Sequence, residues 1–171
     1  GGEDGIPEDK ESIEAWKKIF TKYKVDNIEQ RIQKFGKSSN WWGLESGGPC
    51  GPDSEIFYDT GKEKCSKDCN VACSCGKYVE IGNNVFMEYL KIGDKLESLG
   101  RHNVDFGGGL ERIVSLIQQK ESVYDTDILY PILQKIISLS TTQDLTSQRI
   151  IVDHIKAATW IIMDGVTPSR T

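Results

Sequence analysis

Gly107-Gly108-Gly109 marks the point at which this chain changes its hydrophobic period. Before the triplet, residues 54–59 (SEIFYD) and 78–92 (YVEIGNNVFMEYLKI) are rich in Ile, Val, Phe and Tyr and alternate in part, which predicts strands. The second is expected to break near Gly82, and a third, short strand to end near Phe106. After the triplet, Leu110, Ile113, Val114 and Ile117 recur at i, i+3, i+4 and i+7, so 110–120 should be a helix. A stripe from Ile128 to Ile137, with Pro131 tolerable in its first turn, predicts another. Ile151, Ile155, Ala158, Thr159 and Ile162 predict a third over 148–163, stopping before Gly165 and Pro168. One amphipathic helix precedes the strands, at 10–20, with Asp9 as its cap and Ile13, Trp16, Ile19 and Phe20 on one face. Strands gathered before one point and helices mostly after it exclude repeated βαβ units and give an α+β fold class. The polar link Ser138 to Ser147 suggests a boundary, dividing the chain into 1–138 and 139–171.

No run of about 18 apolar residues is present to span a bilayer, and the first residues, GGEDGIPEDKESIEAW, have neither the basic start nor the apolar stretch of a secretory leader. A cytoplasmic, non-membrane protein is the expectation. The net charge of -5 means that a nucleic-acid partner would be met by a local basic patch and not by the whole surface.

Five cysteines do not pair into a disulfide framework. Four of them fall within one loop as Cys65-x3-Cys69-x3-Cys73-x-Cys75, and short spacings let a backbone wrap four thiolates to about 2.3 Å from one ion. Structural Zn2+ is the expected occupant, since four thiolates close the coordination sphere to catalysis. Idle, reduced thiols are the plainer alternative. Cys50, apart from the others, reads as a small buried residue, with no histidine base evident beside it.

The junction itself, DFGGGLER at 105–112, joins a carboxylate at a strand end, glycines that admit a ligand to the backbone, and an arginine in a first helical turn. Asp105 suits an ammonium group, and the planar fork of Arg112 suits phosphate. The plainer alternative is a tight turn with Arg112 paired to a local acid. The G-x-G-x-x-G and Walker patterns are both missing here, so neither dinucleotide nor P-loop binding is supported.

Five segments in order, NWWGLESGGPCGPDSEIFYD, YVEIGNNVFMEY, VDFGGGLERI, YDTDILYPIL and RIIVDHIKAATWIIMDGVTPS, together resemble the catalytic core of the alanyl-tRNA synthetases. The resemblance covers nearly the whole chain. It implies part of a class II synthetase catalytic domain with an antiparallel sheet, residues 1–138, followed by the start of a helical tRNA-recognition domain, 139–171. It implies ATP-dependent activation of alanine to alanyl-adenylate, with Mg2+, and transfer to tRNA(Ala). Position by position, it makes Trp42, Asn83, Val85, Asp105 and Gly107 the alanine pocket, with Asp105 on the ammonium. It sets Arg112 and Gly109 at ATP, with Arg112 the catalytic arginine on the phosphates. Arg149, His154, Lys156 and Arg170 become candidates for tRNA contact, against the plainer reading of a solvated helix face. Glu55 could assist at the nucleotide. GGPCGP is expected to form an irregular turn beside the adenylate site, with SEIFYD entering the sheet.

The sequence also departs from the family. A tryptophan is usual where Gly82 stands, and Thr and Met where Phe106 and Gly108 stand, which changes pocket shape. The cysteine loop resembles an insertion of some members, favouring zinc. Nothing matches the first two class II motifs, so a fragment with little activity of its own is the expectation. The alternative is a non-catalytic, synthetase-like, zinc-containing binding module.

Overall fold

The computed structural model describes residue 2 and residues 5–169. The chain divides into two compact units, one ending at Gly109 and the other beginning at Leu110.

The first unit opens with helix α1 (Lys10–Lys22), where the Asp9 carboxylate accepts from the Ser12 N–H at 2.9 Å, as the sequence predicts. Trp16 and Phe20, one turn apart, bring their rings to 5.6 Å. A single turn, α2 (Ile28–Arg31), is tied to α1 by Lys17, which pairs with Glu29 at 3.0 Å. Four antiparallel strands follow in sheet order as in sequence: β1 (Trp41–Trp42), β2 (Gly48–Asp59), β3 (Tyr78–Ile92) and β4 (Lys95–Gly108).

Three sequence expectations need correction here. GGPCGP is not a turn, because Gly48, Pro49 and Cys50 already pair with Lys91, Leu90 and Tyr89, and the ladder resumes at Asp53 opposite Val85. The irregularity the glycines and prolines announce is a bulge within β2–β3. Gly51 is required there: a Cβ on it would lie 1.9 Å from the Phe86 carbonyl oxygen. Likewise β3 runs unbroken through Gly82, which pairs with Ile56 on one side and Gly108 on the other, and the ladder shifts register one step away, between Ile56 and Phe57. The third strand is long, not short. Its polar run KLESLGRHNVDF is exposed at most positions, so it carries none of the apolar alternation that betrays a strand.

The second unit comprises α3 (Leu110–Ile117), a 3-10 turn at Val123–Asp125, α4 (Tyr130–Leu139) and α5 (Leu145–Met163). Leu129, Leu133 and Val152 are its buried core, with Val123, Tyr124, Ile132 and Ile136 packed around them. Each such side chain contributes about 1.5–3 kcal/mol by leaving water. Pro131 occupies the first turn of α4, and Asp144 caps α5 by accepting from Thr146 N at 3.1 Å. Gly165, at φ +90°, ends α5, its N–H reaching the Ile162 carbonyl. The link near residue 138 falls between α4 and α5, both of which contribute to this one core.

Candidate functional site

Strand register decides which side chains meet, since residues directly opposite on antiparallel strands share a face. Asp53, Val85 and Asp105 form one transverse row across β2, β3 and β4, and Glu55, Asn83 and Gly107 form the next. Four of the five residues assigned to the amino-acid pocket, Asn83, Val85, Asp105 and Gly107, therefore lie in two adjacent rows on one face. Val85 is buried. Gly107 leaves open space, with no atom within 4 Å of where its Cβ would stand. Asp105 is exposed, and one carboxylate oxygen accepts from the Phe106 N–H at 3.0 Å, leaving the other available. Trp42, the fifth, stands in β1 opposite Gly51, so the register keeps it outside these two rows. Its neighbour Trp41 packs on Tyr89, ring centroids 5.7 Å apart.

The same rows contain two acids that sequence reasoning underused. Burial pushes both carboxyls, Asp53 and Glu55, above the usual range; the amides of Asn83 and Asn40 pull Asp53 back, and the charges of Asp53 and Glu80 push Glu55 further. Asn83 Nδ2 donates to Asp53 Oδ2 at 3.2 Å and Asn40 Nδ2 to Asp53 Oδ1 at 3.4 Å. Asn83 Oδ1 is buried without a partner among the described residues. Reading GPDSEIFYD as one strand would have revealed Asp53, because alternation sets it on the face of Glu55. A cleft of about 980 Å³ in this unit is lined by both acids together with Trp16, Phe35, Asn40 and Trp41.

The departures at Gly82 and Phe106 meet on the opposite face. Built on Gly82, a Cβ would come within 2.8 Å of the Phe106 ring, and on Gly108 within 3.1 Å. The large residue on β4 fills the space left by the small ones beside it, so bulk has moved between strands without reaching the Asp105 face.

Between β2 and β3 the cysteine loop closes on itself. Cys65 and Cys73 sulfurs lie 3.3 Å apart, Cys69 and Cys75 3.7 Å, and all four within 4.8 Å of one another. A tetrahedron of thiolates about 2.3 Å from one ion has edges of roughly 3.8 Å, so the set fits zinc, and it is too open for disulfides. The Lys77 backbone N–H is the first cause holding the Cys75 thiol down at about 7, while hydrogen bonds shared with Cys73, Cys69 and Cys75 push Cys65 up to about 12. Lys77 also clamps the base of the loop: its buried ammonium donates to Asp59 Oδ1 at 2.9 Å and to the Lys62 carbonyl at 2.6 Å. Cys50 is 1% exposed and burial raises its thiol, which suits packing and not nucleophilic attack.

In the second unit Arg112 lies in the first turn of α3, its carbonyl accepting from the Ser115 hydroxyl. Gly109 belongs to the first unit, where its N–H donates to the Ile81 carbonyl at 3.1 Å. Of the candidates for tRNA contact, Arg149 stacks its guanidinium 5.1 Å over the Tyr124 ring and Lys156 pairs with Glu111. His154 is exposed on α5, and Arg170 lies outside the described residues.

The family model described as "tRNA synthetases class II (A)" matches residues 4–171. The alanine--tRNA ligase of Borreliella burgdorferi is 47% identical over 180 residues, covering 99% of this chain and 29% of that protein. Its counterpart in Treponema pallidum is 43% identical over 174 residues (96% and 28%), and that of Myxococcus xanthus 39% over 182 residues (99% and 20%). The chain thus spans less than a third of the length of these curated relatives.

Proposed function

Because the chain belongs to the class II (A) tRNA synthetases, we propose that it carries the alanine pocket and part of the ATP site of an alanine–tRNA ligase. The reaction is activation of alanine by ATP, with Mg2+, to alanyl-adenylate, followed by transfer to tRNA(Ala) in the cytoplasm. The single observation that carries this reading is the pair of rows Asp53–Val85–Asp105 and Glu55–Asn83–Gly107.

In this reading the Asp105 carboxylate holds the alanine ammonium, a charge-assisted contact that also fixes the direction of the α-carbon. Val85 supplies an apolar floor, and the missing side chain of Gly107 leaves room at the scale of one methyl group. Trp42 closes the pocket from β1. Arg112 engages ATP phosphate with its planar fork and opposes the charge that builds at phosphorus, and Gly109 lets nucleotide approach the backbone. Cys65, Cys69, Cys73 and Cys75 hold structural Zn2+, which braces the loop and takes no part in the chemistry. Residues 1–138 act as catalytic part and 139–171 as the start of the tRNA-recognition helices. There Arg149, His154 and Lys156, with Arg170, meet RNA phosphate, Lys156 by exchanging Glu111 for it.

The test is calorimetric titration of this chain and of Asp105→Ala with a non-hydrolysable alanyl-adenylate analogue. Saturable binding lost in the variant is the expected result. Failure of a folded, zinc-replete chain to bind would refute the assignment of the two rows to alanine.

A further inference from the structure

We propose that Asp53 is a positioning residue of the alanine pocket, acting through Asn83; the inference rests on the reading of Asn83 as a pocket residue.

Asn83 stands directly opposite Glu55, yet its amide nitrogen reaches diagonally to Asp53 Oδ2 at 3.2 Å. Its Oδ1 has no partner among the described residues and is shut off from solvent. One bond therefore orients the whole amide. Its sense is fixed by charge, because turning the amide over would set Oδ1 against a carboxylate and leave Nδ2 buried and unpaired. Asp53 is itself held at both ends. Its N–H donates to the Asn40 carbonyl at 3.2 Å, and its second oxygen accepts from Asn40 Nδ2, while Asn40 Oδ1 accepts from the Phe35 N–H at 3.2 Å. The segment before β1 thus reaches the pocket through a chain of three polar side chains, with Asp53 in the middle. Asp53 also shares its row with Val85 and Asp105, so the acid that aims Asn83 and the acid proposed for the ammonium flank one buried valine.

Two measurements on the whole chain test this. Side-chain amide NMR needs no ligand: the Asn83 amide protons should be distinct and slow to exchange in the wild type, and averaged or fast in Asp53→Ala. Affinity for the alanyl-adenylate analogue supplies the second. Asp53→Ala should weaken it about tenfold, the scale of one charge-assisted hydrogen bond. In an Asn83→Ala background the same change should add less than about twofold, because the effect passes through Asn83. Asp53→Asn, which keeps shape and one acceptor, should fall between and guards against misfolding of the alanine variant. Equal amide exchange in wild type and Asp53→Ala overturns the proposal, and so does an undiminished loss of affinity without Asn83. A fixed amide in a wild-type chain that binds no analogue overturns the functional reading instead, and leaves the orientation by Asp53 standing.

Discussion

Replacing Gly51 by alanine should damage the sheet more than any other glycine change in the first unit. The added Cβ would lie 1.9 Å from Phe86 O, 2.9 Å from Phe86 C and 3.3 Å from Glu88 N. Ordinary contact begins at 3.4 Å, so about 1.5 Å of movement is needed. The obstacle cannot swing aside as a side chain would, because it is backbone pinned by the ladder at Cys50–Tyr89 on one side and Asp53–Val85 on the other. Overpacking costs about 1–3 kcal/mol, and a rigid obstacle sets this case near the upper end, about 3 kcal/mol. At about 2–4 °C per kcal/mol for a chain of this size, the melting temperature should fall by roughly 6–12 °C, read by far-ultraviolet circular dichroism. Gly107→Ala is the contrast. Nothing lies within 4 Å of its Cβ, so its melting temperature should hold within about 2 °C, while affinity for the alanyl-adenylate analogue drops as the methyl takes the space beside Asn83. A Gly51→Ala chain melting like the wild type would refute the packing described for the bulge.

The proposed zinc site predicts that none of the five thiols of the loaded chain reacts promptly with a thiol reagent, that four do after chelation, and that buried Cys50 waits for unfolding; four prompt thiols in a metal-loaded chain would count against the site. Hydrogen bonding from Lys77 is the first cause holding the Asp59 carboxyl below its ordinary 3.8, so its contribution is complete above that pH and lost as pH falls through the lower folded value. Urea midpoints of wild type and Lys77→Met should therefore converge as pH is lowered past about 3.8, and a constant gap across the range would contradict the linkage. Gly82→Ala should destabilise the chain in the presence of Phe106 and be tolerated together with Phe106→Thr, the sign of a shared space; additive costs in a double-mutant cycle would deny it.

The helices were legible because their signals are local: Asp9 caps as its position suggests, and Pro131 sits where its missing N–H does no harm, whereas the cap Asp144 and the first turn of α5, 145–147, went unread inside a polar link. The strands were legible only where they are apolar. β4 escaped notice through most of its length because it is exposed and polar, and GGPCGP was read as a turn because glycine and proline mark bulges and turns alike. In the candidate site, the ordered motifs pointed to Asn83, Val85, Asp105 and Gly107, and the register brings them together. What one dimension could not give was the neighbour across a strand. Asp53 acquires its role from Asn83, thirty positions away, and Phe106 from the emptiness at Gly82; neither relation leaves a periodic trace.

The connections on the two sides of β3 are very unequal. Gly93 and Asp94 alone join β3 to β4, with Gly93 at φ +58°, whereas the whole of 60–77 separates β2 from β3. Closing a longer loop loses more chain entropy, so β3 and β4 should zip first and β2 should join late, once the cysteine loop has drawn its end toward Tyr78. Pulse-labelled hydrogen exchange would read this as protection appearing in β3 and β4 before β2, and as a slower second phase when zinc is withheld. With the proposed zinc on that loop, the supply of metal during synthesis would govern how long β2 stays unpaired, and with it how long Asp53 and Glu55 are missing from the face they share with Asp105.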